Sequence, residues 1–72
     1  MTLEEADKLP VNARIRFPKI GSDAACDGTV KERVGSVVHI EWDDGLTVDV
    51  GTAVNSTWAD RLREWWKPIE KV

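Results

Sequence analysis

Along residues 37–50 apolar and polar side chains alternate, stop at Asp43-Asp44-Gly45, and then alternate again. A two-residue period belongs to a strand with one dry and one wet face, so the pattern predicts a hairpin. On its first arm Val38, Ile40 and Trp42 point inward and Val37, His39 and Glu41 outward. On its second, Leu46, Val48 and Val50 point inward and Thr47 and Asp49 outward. Gly45 can take the positive φ of a tight reversal, and Asp43 and Asp44 can cap its amides, so turn chemistry alone accounts for the triplet. Residues 11–17 repeat the alternation, with Ala13, Ile15 and Phe17 on one side and Arg14 and Arg16 on the other, until Pro18 stops the strand or leaves it at an edge. Residues 29–34 offer another strand, with Val30 opposite Thr29, Lys31 and Arg33, and Gly35-Ser36 turn the chain. Between the two, residues 19–28 are small and polar and read as a loop.

The ends follow a different period. Thr2 stands three residues before Glu5, the spacing of a capping box. A helical turn or two before Pro10 follows, placing Leu3, Ala6 and Leu9 on one face that lies across the end of the strands. After Gly51, Trp58, Leu62, Trp65, Trp66 and Ile69 recur at helical intervals, behind the capping candidates Asn55, Ser56 and Thr57 and ahead of Pro68. This predicts a helix over residues 57–66. A short helical turn followed by a closing strand over residues 65–70 is the alternative, and beyond Glu64 periodicity does not separate the two. The expected architecture is mainly β within one domain. Residues 1–10 form a helical turn, residues 11–50 the strands of a small antiparallel barrel, and residues 51–72 a Trp-rich helix with a possible closing strand.

Composition narrows the setting. A chain of 72 residues has a small core, so each large apolar side chain counts. Cys26 is the only cysteine and His39 the only histidine. They supply neither an internal disulfide nor the four ligands of a structural zinc site, which implies a reducing, cytoplasmic environment. The acidic start lacks the basic and apolar regions of a signal peptide, and no apolar run approaches the length of a membrane span. The net charge of -3 argues against strong nonspecific binding to nucleic acid. That charge is segregated: residues 36–60 contain Glu41, Asp43, Asp44, Asp49 and Asp60 and no Lys or Arg.

The run DGTVKERVGSVVHIEWDDGLTVDV, with its Asp-Gly opening, short hairpin and strand ending in Trp-Asp-Asp-Gly, resembles the small Src-homology-three-type barrels of the Tudor, chromo-barrel and KOW kind. It is also similar to small bacterial domains in which a strand ends in Trp-Asp-Gly. With the first strand the likeness covers about residues 11–50, and it implies a fold shared by many unrelated functions. No ligand-binding residue carries over. The strands that are basic in RNA-contacting KOW modules are acidic here, and only Trp42 of the hairpin could serve the kind of aromatic pocket that Tudor readers use.

Candidate chemistry points away from catalysis. His39 is expected on an outward position beside Glu41 with no nucleophile or substrate group to serve, and Cys26 in a polar loop with no cation to make it a thiolate. Asp43 and Asp44 lack the further oxygens that calcium needs. No catalytic residue, metal site or cofactor is assigned. Surface chemistry is more informative. Arg14, Arg16, Lys31 and Arg33 would line one exterior strip and Glu41, Asp43, Asp44 and Asp49 another, although wet strand faces are commonly charged.

Burying a Trp stabilises by on the order of 4–6 kcal/mol, so three C-terminal Trp should cover the barrel, close a dimer or meet a partner. Adjacent Trp65 and Trp66 cannot point the same way. Trp58, Arg61, Arg63, Trp65 and Trp66 are therefore the candidate protein-binding residues of a non-catalytic interaction module, a subunit, accessory factor or inhibitor, monomeric or dimeric through this segment. The alternative is a KOW-like nucleic-acid binder using Arg14, Arg16, Lys31 and Arg33 on phosphates, with an exposed Trp stacking on a base.

Overall fold

The computed structural model describes residues 1–18 and 25–72. The loop expected over residues 19–28 therefore lies outside the described residues for its first six positions; its last three, from Cys26, belong to a strand. The elements run α1 (Leu3–Ala6), β1 (Arg14–Phe17), β2 (Cys26–Val34), β3 (Val37–Trp42), β4 (Thr47–Gly51), α2 (Ala59–Trp66) and β5 (Glu70–Lys71). The strands form one antiparallel sheet in the order β4-β3-β2-β1-β5. It is not closed by hydrogen bonds into the expected barrel: β4 and β5 stand at its two ends.

At the C-terminus the helix reading holds to its expected end, although it starts at Ala59 and not at residue 57; of the rival strand over residues 65–70 only Glu70 is in a strand, the two-residue β5. The helix ends at Trp66, and Glu70 and Lys71 then pair with Arg16 and Ile15. The capping box forms as expected, the Glu5 amide donating to Thr2 Oγ1 at 3.1 Å and the Thr2 amide to Glu5 Oε1 at 2.9 Å. At α2 the expected caps do not act as such. Trp58 occupies the N-cap with no side-chain hydrogen bond, and Ser56 Oγ accepts from the Trp58 amide at 3.1 Å just before it.

The sheet buries one face under the two helices. Ile15, Val30, Val38, Ile40 and Val50 meet Leu3, Ala6 and Leu9 from the N-terminus and Ala59, Trp66 and Ile69 from the C-terminal segment. The two-residue period thus sorts most of the chain correctly. Leu46 is a departure. It lies beside the turn, 67% exposed, its carbonyl accepting the Trp42 amide at the hairpin's mouth, and no element among the described residues covers that end. In the turn itself Gly45 takes φ +93° and Asp44 Oδ1 accepts the Leu46 amide at 3.0 Å. Asp43 does not cap the turn; its carboxylate holds Arg14. Gly28 lies between Ile15 and Trp42 on the inner face, where a Cβ would come within 2.7 Å of the Trp42 indole. That close approach requires glycine.

One irregularity reverses an expected strand face. Val30 pairs with Ile40, but Glu32, two residues on, pairs with His39, one residue back. Lys31 is the extra residue of a β-bulge, and a bulge changes which side the following residues face. Arg33 therefore turns inward, against expectation, and Val34 outward. The Arg33 guanidinium donates to the carbonyls of Ala6 at 2.9 Å and Leu9 at 3.1 Å and to Thr52 Oγ1 at 3.0 Å. Thr52 is fully buried, with its hydroxyl 3.0 Å from Asp7 Oδ1 and 3.2 Å from the Ser36 carbonyl. One side chain thus adds a donor to the Ala6 carbonyl, which also accepts the Leu9 amide, satisfies the Leu9 carbonyl just beyond α1, and ties both to β2 and the end of β4.

Replacing Arg33 by Met should leave the Leu9 carbonyl without its donor, and the Ala6 carbonyl and Thr52 with one partner fewer, and lower unfolding stability by about 2 kcal/mol, measured by urea denaturation. Lys31→Met, at the exposed bulge, should change it by less than about 0.5 kcal/mol. Equal effects at the two positions would contradict the inward placement of Arg33.

Candidate interaction surfaces

The candidate residues of the C-terminal segment separate into distinct roles. Trp66 is fully buried beneath α2, with its Nε1 donating to the Gly51 carbonyl at 3.0 Å, so it is core and not surface. Trp65 leans edge-on against it, ring centroids 5.0 Å apart, and is half-buried. Trp58 precedes the helix with 58% of its surface exposed, and the Arg61 guanidinium lies 5.0 Å from its ring centroid. That distance is within the range of a cation–π contact, which holds both side chains in place while leaving them accessible. Arg63 is turned to α1, donating to Glu4 Oε1 at 2.8 Å. This hydrogen bond, with the backbone contact of Glu4 itself and the charge of Arg63, lowers the Glu4 pKa. Of the five candidates the structure brings together Trp58 and Arg61; the others face the core, a groove, or α1.

The expected basic strip does not exist as a unit. Arg33 faces inward, and Lys31 stands on the bulge. Arg14 forms a two-pronged hydrogen bond to Asp43, at 3.0 and 2.9 Å, and a further one to Thr29 Oγ1 at 2.7 Å. Arg16 does the same with Asp27, at 2.7 and 3.1 Å. The reason is register: Arg16 lies opposite Asp27 on β2, and the amide of Asp43 donates to the Asp27 carbonyl, so the two acids alternate with the two bases on one face. Hydrogen bonding to Arg14 lowers the pKa of Asp43, and hydrogen bonding to Arg16 lowers that of Asp27. On the same outer face Glu32, His39 and Asp49 pair across three strands. His39 is not simply solvated beside Glu41: its Nδ1 lies 2.5 Å from Asp49 Oδ1. No hydroxyl or thiol nucleophile contacts it among the described residues. Nor does any group of three His, Cys, Asp or Glu side chains gather there as a metal would need.

A groove that sequence reasoning missed lies on the inner face at the open end of the sheet. Phe17, Cys26, Trp42, Asp44, Leu46, Val48 and Trp65 line about 280 Å³. Phe17 and Trp42 meet edge-on with centroids 6.4 Å apart. Cys26 is the first residue of β2, opposite Phe17, and not part of a polar loop. The available signal was position: Phe17 precedes Pro18 and Trp42 precedes the Asp-Asp-Gly turn, so both stand at strand ends. No helix among the described residues is long and apolar enough to cross a membrane. Comparison with protein-family models, with curated proteins and with solved structures finds no match for the chain.

Two outcomes follow from these placements. Trp66→Ala should cost about 3–5 kcal/mol, enough to unfold much of so small a protein. Trp58→Ala should shift stability by no more than about 0.5 kcal/mol. Thermal and urea unfolding of the two variants check the assignment of core and surface.

The Asp27 and Asp43 pairs set an acid limb. Their folded pKa values lie below the ordinary aspartate value of about 3.9. The stability they contribute is therefore fully present above that value and is lost as pH falls through the lower folded values. Stability between pH 5 and pH 2 should fall less steeply in the Asp27→Asn, Asp43→Asn double variant, and added salt should flatten the wild-type curve.

Proposed function

We propose that the protein is a non-catalytic interaction module that binds another protein through the surface centred on Trp58 and Arg61. The observation that carries this reading is an exposed indole held under an arginine. Trp and Arg are the side chains most enriched at interface hot spots: a large rigid ring brings area at little entropic cost, and a guanidinium brings directed hydrogen bonds. A small domain gains no core stability from leaving such a ring in water. The fold fits this role as an open form of the small Src-homology-three-type barrel that the hairpin resembles, with α2 laid over the end of β4 in place of further strand pairing. A compact chain of this kind suits a subunit, an accessory factor or an inhibitor.

The rival nucleic-acid reading draws support from Lys31 and from the number of arginines on β1. Phosphate binding at Arg14 and Arg16 would first have to displace Asp43 and Asp27. The two readings part on salt and on mutation. Immobilised wild-type protein should retain a specific partner identified by mass spectrometry, and Trp58→Ala should weaken that partner's affinity at least about tenfold, the scale of a hot-spot loss, with an unchanged melting temperature. Undiminished binding by Trp58→Ala would refute the assignment. Affinity for an oligonucleotide that collapses between low and moderate salt, and disappears in the Arg14→Glu, Lys31→Glu double variant, would favour the nucleic-acid class.

A further inference from the structure

Among the described residues strand β4 is the last of the sheet on its side, so half of its backbone groups have no neighbouring strand there. The ladder determines which half. The Trp42 amide donates to the Leu46 carbonyl at 2.8 Å and the Thr52 amide to the Ser36 carbonyl at 2.7 Å. With Ile40 opposite Val48 and Val38 opposite Val50, it is Val48 and Val50 that exchange hydrogen bonds with β3. Thr47, Asp49 and Gly51 turn their amides and carbonyls outward. Gly51 is occupied, its carbonyl accepting from Trp66 Nε1 and the Leu62 side chain packed over its Cα. Thr47 and Asp49 are both exposed, and neither makes a backbone hydrogen bond outside the β3 ladder among the described residues. They offer two donors and two acceptors at strand spacing.

The two faces flanking this edge differ in chemistry. On the inner side Val48 adjoins the apolar groove walled by Leu46, Trp42 and Trp65. On the outer side Asp49 projects from β4 itself, Glu41 stands opposite Thr47 on β3, and Glu32 stands one strand further in. Among the described residues no Lys or Arg forms an ion pair with these three; Asp49 meets only His39. A strand laid along this edge would send one side chain over the groove, opposite Val48, and its two neighbours beside the carboxylates, because successive residues of a strand face opposite ways.

We propose that the edge at Thr47 and Asp49 is a docking site for an extended segment of a partner protein in which basic and apolar residues alternate. The segment adds to the sheet beside β4, main-chain hydrogen bonds supplying affinity, and the groove and the carboxylates supplying register and specificity. A second copy of this chain fits poorly, because antiparallel pairing of two β4 edges brings an Asp49 from each close together, and like charges across a strand pair are unfavourable. The proposal shares with the preceding section the view that the chain binds protein, but it uses a surface separate from Trp58 and Arg61.

The test uses the whole chain, isotope-labelled, and a short capped peptide of alternating Lys and Val. Two control peptides carry Glu in place of Lys, or N-methyl groups on the amides of one edge. The Lys-Val peptide should shift the Thr47 and Asp49 amide resonances and slow their exchange with solvent. Both controls should bind at least about tenfold more weakly. Thr47→Pro removes one outward amide and leaves the β3 ladder intact, and it should weaken binding similarly. Trp58→Ala should leave peptide binding unchanged, so failure of one surface does not imply failure of the other. The proposal is overturned if the Lys-Val peptide does not bind, if it perturbs resonances elsewhere, or if the N-methylated peptide binds as well. It is equally overturned if the edge is filled at rising protein concentration by a second copy. Should Thr47→Pro unfold, the N-methylated peptide applies the same test to the unaltered protein.

Discussion

The position of α2 depends on burying Trp66, and most of the surface depends on the position of α2. The indole fills the space against the inner face of the sheet and spends its one donor on the Gly51 carbonyl. That single bond covers the end of β4 and, by elimination, leaves Thr47 and Asp49 uncovered. It also decides the neighbours of Trp66. A helix turns about 100° per residue, so once Trp66 points down, Trp65 must lean sideways over the rim of the groove. Trp58, one residue before the helix, falls outside the packed face altogether. A core contact worth several kcal/mol thereby arranges surface features that contribute little to stability themselves.

The arginines of this protein are largely used internally. Arg33 serves the end of α1, Arg63 holds Glu4, and Arg14 and Arg16 are interleaved with Asp43 and Asp27. The outcome is a surface more acidic around β3 and β4 than a net charge of -3 suggests, because the acids there have few cationic partners. Arg61 is different in having an aromatic ring as its partner. Electrostatic complementarity contributes more to the choice and orientation of a partner than to bulk affinity, and the distribution of unpaired charge follows from pairings that depend on strand register.

Local pattern was enough to recover much of the fold. The capping box at Thr2 and Glu5, the hairpin about Gly45, and the inward set of Ile15, Val30, Val38, Ile40 and Val50 are all short-range consequences of period and turn chemistry. The candidate sites were less legible. Arg33 carries the same alternation signal as Lys31, yet a single bulge between Val30 and Glu32 puts the two on different faces. A bulge inserts a residue without leaving a mark in the hydrophobic pattern. Leu46 alternates correctly and is nonetheless exposed, since phase says which way a side chain points and not whether anything stands there to cover it. The groove of Phe17, Cys26, Trp42, Val48 and Trp65 was invisible for the same reason: its walls come from four strands and a helix spread along the chain.

By itself, then, the sequence determined most of the strands, the tight turns, the start of α1 and the identity of most core residues, because these depend on interactions among residues a few positions apart. Tertiary structure decided that the sheet stays open, which of three C-terminal tryptophans is core, which partner each arginine takes, and which stretch of β4 has no neighbour among the described residues. Those outcomes are set by competition for partners across the whole molecule. A buried carbonyl takes whichever donor reaches it, and the groups left over form the surface.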